Sequence, residues 1–249
     1  MSEPVDSGPA PAGPIALTSF SRSGIAVVFG ATGGIGAALV EAIRASGRFE
    51  DVLGFSRSTA PPIDLRDEDS LERAVVLAAE RGTLRLVIDA TGFLSDTSQM
   101  PEKSWRQLDA ASLARSFALN AIGPALLMKH VLPRLPRSGK AVFATLSARV
   151  GSIGDNRLGG WYAYRASKAA LNQLVRTASV ELARRAPDAL CIALHPGTVA
   201  TPLTAPFAAA GLQVHAPGDA ARHLLGVIDA LGADATGGFF DWRGEPVPW

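Results

Sequence analysis

Hydrophobic and polar positions along this chain fall into blocks of two periods. Ile25-Ala26-Val27-Val28-Phe29 is apolar throughout, as a strand buried on both faces would be. It runs into Gly30-Ala31-Thr32-Gly33-Gly34-Ile35-Gly36 and then into a helical pattern over residues 37–45. Asp51 to Phe55 reads as a second strand. Residues 69–80 place Leu71, Val75 and Ala78 on one helical face, and Leu84 to Ile88 is another buried strand. Residues 110–135 read as largely helical, bent at Gly123-Pro124. A strand at 141–146, a long helix at 162–185, a strand at 190–194, a helix at 219–230 and a short strand at 238–241 complete the pattern. Uniformly apolar strands alternating with helices predict an α/β fold: one parallel, doubly wound sheet with helices on both faces. No fixed-period repeat and no second domain boundary is visible, so residues 23–249 read as one domain. In such sheets ligands bind outside the carboxyl ends of the strands.

Composition narrows the reading. The chain has 249 residues, 47% hydrophobic and 19% charged, with a net charge of +1. That suits a single soluble domain and gives no reason to expect nucleic acid or an anionic membrane as partner. No run of 18 apolar residues appears. Residues 1–22 are rich in Pro, Ser, Gly and Ala, without the positive start and apolar middle of a secretory signal. They read as a disordered tail, and the protein is expected in the cytoplasm. The single Cys191 lies in an apolar run and reads as a small buried hydrophobe. His130, His215 and His223 have no zinc-ligand spacing, so no metal is expected.

The glycine turn carries the first chemical signal. A turn between a first strand and its helix lets backbone approach a pyrophosphate, and the helix N-terminus supplies free amides. Gly30, Gly34 and Gly36 fit that need, with Thr32 and Ile35 in the same turn. Their spacing, Gly-x3-Gly-x-Gly, differs from the commoner Gly-x-Gly-x-x-Gly, and alone it equally suits a tight connection. At the end of the second strand an acidic residue would select NAD through the ribose 2′-hydroxyl. This chain has Ser56-Arg57 there, and a guanidinium suits a 2′-phosphate. The expected cofactor is NADP(H) ahead of NAD(H). Asp64-Leu65, after the next short extended run, is placed at the adenine edge.

The second signal is Tyr164 and Lys168, four apart on a helix and so on one face. A fixed cation favours the phenolate and lowers a phenol from its usual value near ~10. Such a Tyr can exchange a proton at a carbon–oxygen bond. By itself such a pair more often marks a solvated helix face than a site. Ser147 closes the strand at 141–146, where its hydroxyl can hold a substrate carbonyl. Asn120 lies inside a helix, where Asn is a poor former, and its carbonyl could hold a water linking Lys168 to solvent. A strand-end cap and a helix kink explain these two equally well one at a time, but less well when all four are taken together.

In this combination the chain resembles the short-chain dehydrogenase/reductase family. The matching pieces are Gly30-x3-Gly34-x-Gly36, Asn120, Ser147, Tyr164-x3-Lys168 and His195-Pro196-Gly197-Thr198-Val199-Ala200-Thr201. The ending Gly237-Gly238-Phe239-Phe240-Asp241-Trp242, with Pro248-Trp249 last, is similar to the C-factor-like branch. The resemblance implies a single Rossmann-type domain with a sheet of about seven strands. It implies Tyr164 as general acid or base, with Lys168 lowering its pKa and holding the nicotinamide ribose. Ser147 would orient the substrate oxygen, and Asn120 would support a proton relay. Tyr164, Lys168 and Asn120 also count among the cofactor contacts. Pro196, Gly197, Val199 and Thr201 would meet the nicotinamide, and Ala90, Thr91 and Gly92 the adenosine ribose.

The chain departs from the family at Phe29, where many members have Thr, and at Gly33, where many NADP users have a second base. Asp89-Ala90-Thr91-Gly92 replaces Asn-Asn-Ala-Gly. Asp89 puts the usual strand-bracing hydrogen bonds in question, since a carboxylate only accepts. His195 reads as a neutral, satisfied residue, and Trp161 as either a pocket wall or an ordinary aromatic. Residues 201–216, with apolar Leu203, Phe207 and Leu212, read as a lid over a substrate with some hydrophobic body. Extensive apolar helix faces, which pair across two-fold axes in the family, predict a homodimer or homotetramer. The substrate class is a small carbonyl or alcohol. A dinucleotide-binding signalling module of the C-factor type is the alternative. An epimerase or dehydratase is a third, disfavoured by chain length.

Overall fold

The computed structural model describes residues 13, 15–207 and 214–249. In chain order the first half holds β1 (Ile25–Phe29), α1 (Gly34–Ala45), β2 (Asp51–Phe55), α2 (Glu68–Arg81), β3 (Leu84–Asp89), α3 (Ala110–Phe117) and α4 (Gly123–Val131). The second half holds β4 (Ala141–Leu146), α5 (Tyr162–Arg185), β5 (Ala189–His195), β6 (Thr198–Val199), β7 (Val214–His215), α6 (Pro217–Ala230) and β8 (Phe239–Asp241). Six strands pair in parallel in the order β2-β1-β3-β4-β5-β8, and β6-β7 form a separate parallel pair.

Alternation along each strand builds two cores. Ile25, Val27 and Phe29 of β1, with Phe143 of β4 and Cys191 of β5, face a layer containing Leu71 and Val75 of α2, Leu127 of α4 and Leu171 of α5. Ala26, Val28, Val142 and Ile192 face the opposite layer, with Leu39 and Ile43 of α1 and Leu224 and Ile228 of α6. A strand buried on both faces must be apolar at every position, which is why these runs show no alternation in sequence. The chain leaves β1 for the edge at β2 and returns to pair β3 on the other side of β1, so the sheet's switch point lies between the ends of β1 and β3.

Among the described residues the sheet has six strands, where the family resemblance implied about seven. The short run before Asp64 does not become a strand: Pro61 and Pro62 have no N–H to give a ladder, and Ile63 N donates to Ser56 O at 3.0 Å. The boundary expected at residue 23 also moves. Residues 1–12 and 14 lie outside the described residues, but residues 15–22 are not a disordered tail. Leu17 and Phe20 are fully buried in the α1–α6 layer. Arg48 Nε donates to Phe20 O at 2.6 Å, and Asp229 accepts from Ser19 N at 2.9 Å.

The helical stretch 110–135, expected to bend at Gly123-Pro124, carries its irregularity just before that pair. Ala118–Ile122 forms a π turn in which Gly123 N donates to Ala118 O. Pro124 has no N–H for the carbonyl of Asn120, its α-helical partner four residues back, and the wider turn absorbs that mismatch. On α4 of this stretch, Leu127, Met128 and Val131 are buried against the sheet.

Candidate active site

Tyr164 and Lys168 lie in the first two turns of α5, beside the carboxyl end of β4. The Lys168 ammonium is buried and donates to Leu146 O at 2.7 Å. Gly151 makes room for it: a β-carbon there would lie 2.8 Å from Lys168 Cβ. Nζ stands 6.0 Å from the centre of the Tyr164 ring. Burial brings the ammonium down to about 8, with Asp89 pulling the other way. Burial also pushes the Tyr164 phenol up to about 12. The expected lowering of the phenol by the ammonium is therefore not the balance in this structure. The ammonium gives one of its three hydrogens to a backbone carbonyl, and loss of water sets the direction at the phenol.

Ser147 is buried at the end of β4, its N–H donating to Leu194 O at 2.8 Å. Its hydroxyl donates to Asn172 Oδ1 at 2.6 Å. Asn120, fully buried in the π turn, clamps the loop after β3: Oδ1 accepts from Phe93 N at 2.7 Å, and Nδ2 donates to Phe93 O at 2.8 Å and Ser167 Oγ at 3.1 Å. Its side-chain carbonyl thus has Phe93 N as one donor. A methyl on Gly92 would lie 3.8 Å from Lys168 Nζ and 3.9 Å from Asn120 Oδ1. Sequence reasoning missed Asn172, Phe93 and Ser167. Extending the four-residue spacing one more turn from Lys168 would have pointed to Asn172.

The glycine turn meets the end of β3. Gly30 has φ +80°, and a β-carbon on it would lie 2.8 Å from Ala90 O and 3.1 Å from Thr91 N. One on Gly36 would lie 2.1 Å from Gly30 O, and one on Gly34 2.8 Å from Thr201 Cγ2. α1 starts at Gly34 with no side-chain cap and no acid in its first turn. Thr32 is exposed and Ile35 partly buried. Gly197, at φ +77°, passes His215 and Trp242, and Val199 is buried in β6. Pro196 sits between β5 and β6.

At the carboxyl end of β2, beside the glycine turn, Ser56 is buried and its Oγ accepts from Ser58 N at 3.1 Å. Arg57 is exposed, with no hydrogen bond or ion pair among the described residues. The Asp64 carboxylate is paired with Arg66 at 2.8 Å, which with a weaker field from Arg57 holds it below the usual range. Leu65 packs on α4, 2.6 Å from where a β-carbon on Gly123 would stand.

Asp89 settles its own question. Fully buried, it accepts from Thr91 N at 3.0 Å, Thr91 Oγ1 at 2.5 Å and Thr145 Oγ1 at 2.7 Å, bracing β3 to β4 with donors that its neighbours supply. Burial pushes its carboxyl up. Burial, then Arg149, brings His195 down to about 4, so it is neutral, though its Nδ1 has no partner among the described residues. Trp161, the residue before α5, has φ +53° and meets Tyr164 and Phe207 edge-on, with ring centres 6.2 and 5.0 Å apart. Phe207 thus touches the reactive side, whereas Leu212 lies outside the described residues. No group of three potential metal ligands occurs among the described residues. A cavity of about 910 Å³ lies behind α5, bordered by Asn172, Gln173, Thr236, Phe239 and Trp249, and touches none of Ser147, Tyr164 or Lys168.

The comparisons agree with this geometry. A family model described as enoyl-(acyl carrier protein) reductase matches residues 17–225. C-signal of Myxococcus xanthus is 42% identical over 142 residues, 57% of this chain and 81% of the relative. The 1-hydroxy-2-glutathionyl-2-methyl-3-butene dehydrogenase of Rhodococcus sp. (strain AD45) is 31% identical over 199 residues, 80% of this chain and 84% of the relative. Among solved structures, NADPH-bound carbonyl reductase from chicken fatty liver is 26% identical with TM-score 0.77, covering 92% of this chain and 100% of the other. With that match over most of its length, its dehydrogenase relatives and its likeness to C-signal, the chain belongs to the short-chain dehydrogenase/reductase family, on the C-factor-like branch.

Proposed function

We propose that the protein interconverts a small carbonyl compound and its alcohol, using NADP(H) ahead of NAD(H). The observation that carries this reading is the meeting of two halves of a site at the end of β3. Ala90 abuts the glycine turn, and two residues later Gly92 faces Lys168 and Asn120.

The residues fit a dinucleotide. Gly30, Gly34 and Gly36 leave backbone bare where β-carbons would collide, and the uncapped α1 N-terminus offers its amides to a pyrophosphate beside Thr32 and Ile35. Ser56 and the free Arg57 guanidinium suit a 2′-phosphate, in keeping with the NADPH in the chicken reductase. Asp64 and Leu65 border the adenine end. Ala90, Thr91 and Gly92 would flank the adenosine ribose, and Pro196, Gly197, Val199 and Thr201 the nicotinamide, with Lys168, Tyr164 and Asn120 beneath it. When bound, the nicotinamide supplies or accepts the hydride.

The chain supplies the proton and the geometry. A phenol held protonated by burial is a proton donor for a carbonyl oxygen in reduction. Lys168 keeps a cation on the same side and is available for a ribose hydroxyl. Ser147 holds the substrate oxygen. Asn120 fixes the β3 loop through Phe93. Trp161 and Phe207 give the site an apolar wall, which suits a substrate with a hydrophobic body. Self-association as a dimer or tetramer belongs to the same reading, and Leu174 and Val180 are exposed on α5.

The test is oxidation of NADPH, followed by absorbance, across a panel of ketones and aldehydes. Turnover of one or more members is expected, and none across a broad panel would sink the reading. The likeness to C-signal supports a second reading, a dinucleotide-binding signalling module, which predicts cofactor binding with no turnover.

A further inference from the structure

The bond between Ser147 and Asn172 points the wrong way for catalysis. Ser147 Oγ lies 2.6 Å from Asn172 Oδ1, an atom that only accepts, so the serine proton is spent on the amide. A serine in that state has no proton for a substrate carbonyl oxygen. The other end of the same amide is idle: Asn172 is 2% exposed, and its Nδ2 is buried with no partner among the described residues. A buried, unpaired N–H is costlier than an under-satisfied carbonyl, so the amide gains by finding an acceptor. Turning the amide by half a revolution puts Nδ2 on Ser147 Oγ. The serine then accepts from Asn172 and donates into the cleft. Asn172 borders the cavity behind α5, which gives the amide room to turn.

We propose that Asn172 is a positioning residue that sets the direction of the Ser147 proton, switching from acceptor to donor when a carbonyl oxygen enters. The inference rests on the carbonyl–alcohol function proposed above. Asn172 stands one turn beyond Lys168, so α5 presents three functional groups in successive turns: phenol, ammonium and amide. No covalent bond changes in the switch; one hydrogen bond is exchanged for another.

Asn172→Asp separates this role from a packing role. An ionised carboxylate accepts and never donates, so it holds the serine proton in the resting direction. Turnover should fall about 100-fold at neutral pH, the scale for losing one donor to a reacting oxygen, while NADPH affinity measured by fluorescence stays at the parent value. Once protonated, the carboxyl regains a donor. The deficit should therefore shrink as pH falls from ~8 to ~5, the range into which burial raises a carboxyl. Asn172→Ala, which frees the serine, should lose only about tenfold, with a deficit constant over the same range. Arg176 of α5 and Asp234 border the same cavity, and Lys168 stands one turn before Asn172. All are present in the alanine variant, which controls for their titration.

Parent-like turnover in the aspartate variant, or a deficit that ignores pH, would overturn the inference with the carbonyl function intact. If the aspartate variant fails to fold, a double-mutant cycle with Ser147→Ala decides. The serine change should cost at least fivefold less in the Asn172→Ala background, and simple additivity overturns the proposal. A parent that turns over no carbonyl removes the function itself, and this inference with it.

Discussion

Gly30 and Ala90 pass so closely that a β-carbon on the glycine would lie 2.8 Å from the alanine carbonyl oxygen. The turn after β1 and the end of β3 therefore share one floor, possible only because residue 30 is bare and adopts φ +80°. Gly30→Ala should weaken NADPH binding by about tenfold or more, as strain of this kind is worth, and lower Tm. Titration of NADPH fluorescence checks it, and parent-like affinity would remove the floor from the site.

Tyr164→Phe deletes only the phenol oxygen. Turnover should drop roughly a thousandfold, within the range of a lost general acid, with NADPH affinity unchanged. Retained turnover would end the proton-transfer role.

Arg57 is exposed and unpaired among the described residues, so its removal costs the fold little. Arg57→Ala should raise KM for NADPH about tenfold or more, the worth of a charge-assisted bond, and leave KM for NADH alone. An equal effect on both cofactors would place Arg57 away from the 2′-phosphate.

Lys168 makes stability depend on pH. Burial lowers its folded value to about 8 from the ordinary lysine value of 10.5. Between those values the unfolded chain binds more protons than the folded one, so this group's contribution to stability rises with pH across that window. Thermal unfolding of the parent and Lys168→Met at successive pH values should show the parent gaining relative to the variant from pH 8 upward. Parallel curves would mean that the ammonium is solvated.

Phe20 is 1% exposed in the α1–α6 layer. Phe20→Ala should cost about 3–5 kcal/mol, as for other buried aromatic truncations, measured by denaturant unfolding. A negligible change would restore the tail to residue 22.

The sequence by itself determined the layers and most of the candidate positions. Strands buried on both faces must be apolar at every residue, and the four-residue spacing of Tyr164 and Lys168 survives any folding of a helix. Pro124 dictated a break near Asn120, because a missing N–H cannot be restored by packing. Tertiary structure alone decided what those groups touch. Asp89 finds Thr145 on a strand 56 residues away, Asn120 is claimed by Phe93, and Ser147 by Asn172. It also decided that Leu17 and Phe20 fill a groove made by α1 and α6, and that burial raises the phenol. Hydrogen-bond choice and desolvation depend on which atoms the fold brings within about 3 Å, and spacing along the chain does not encode that.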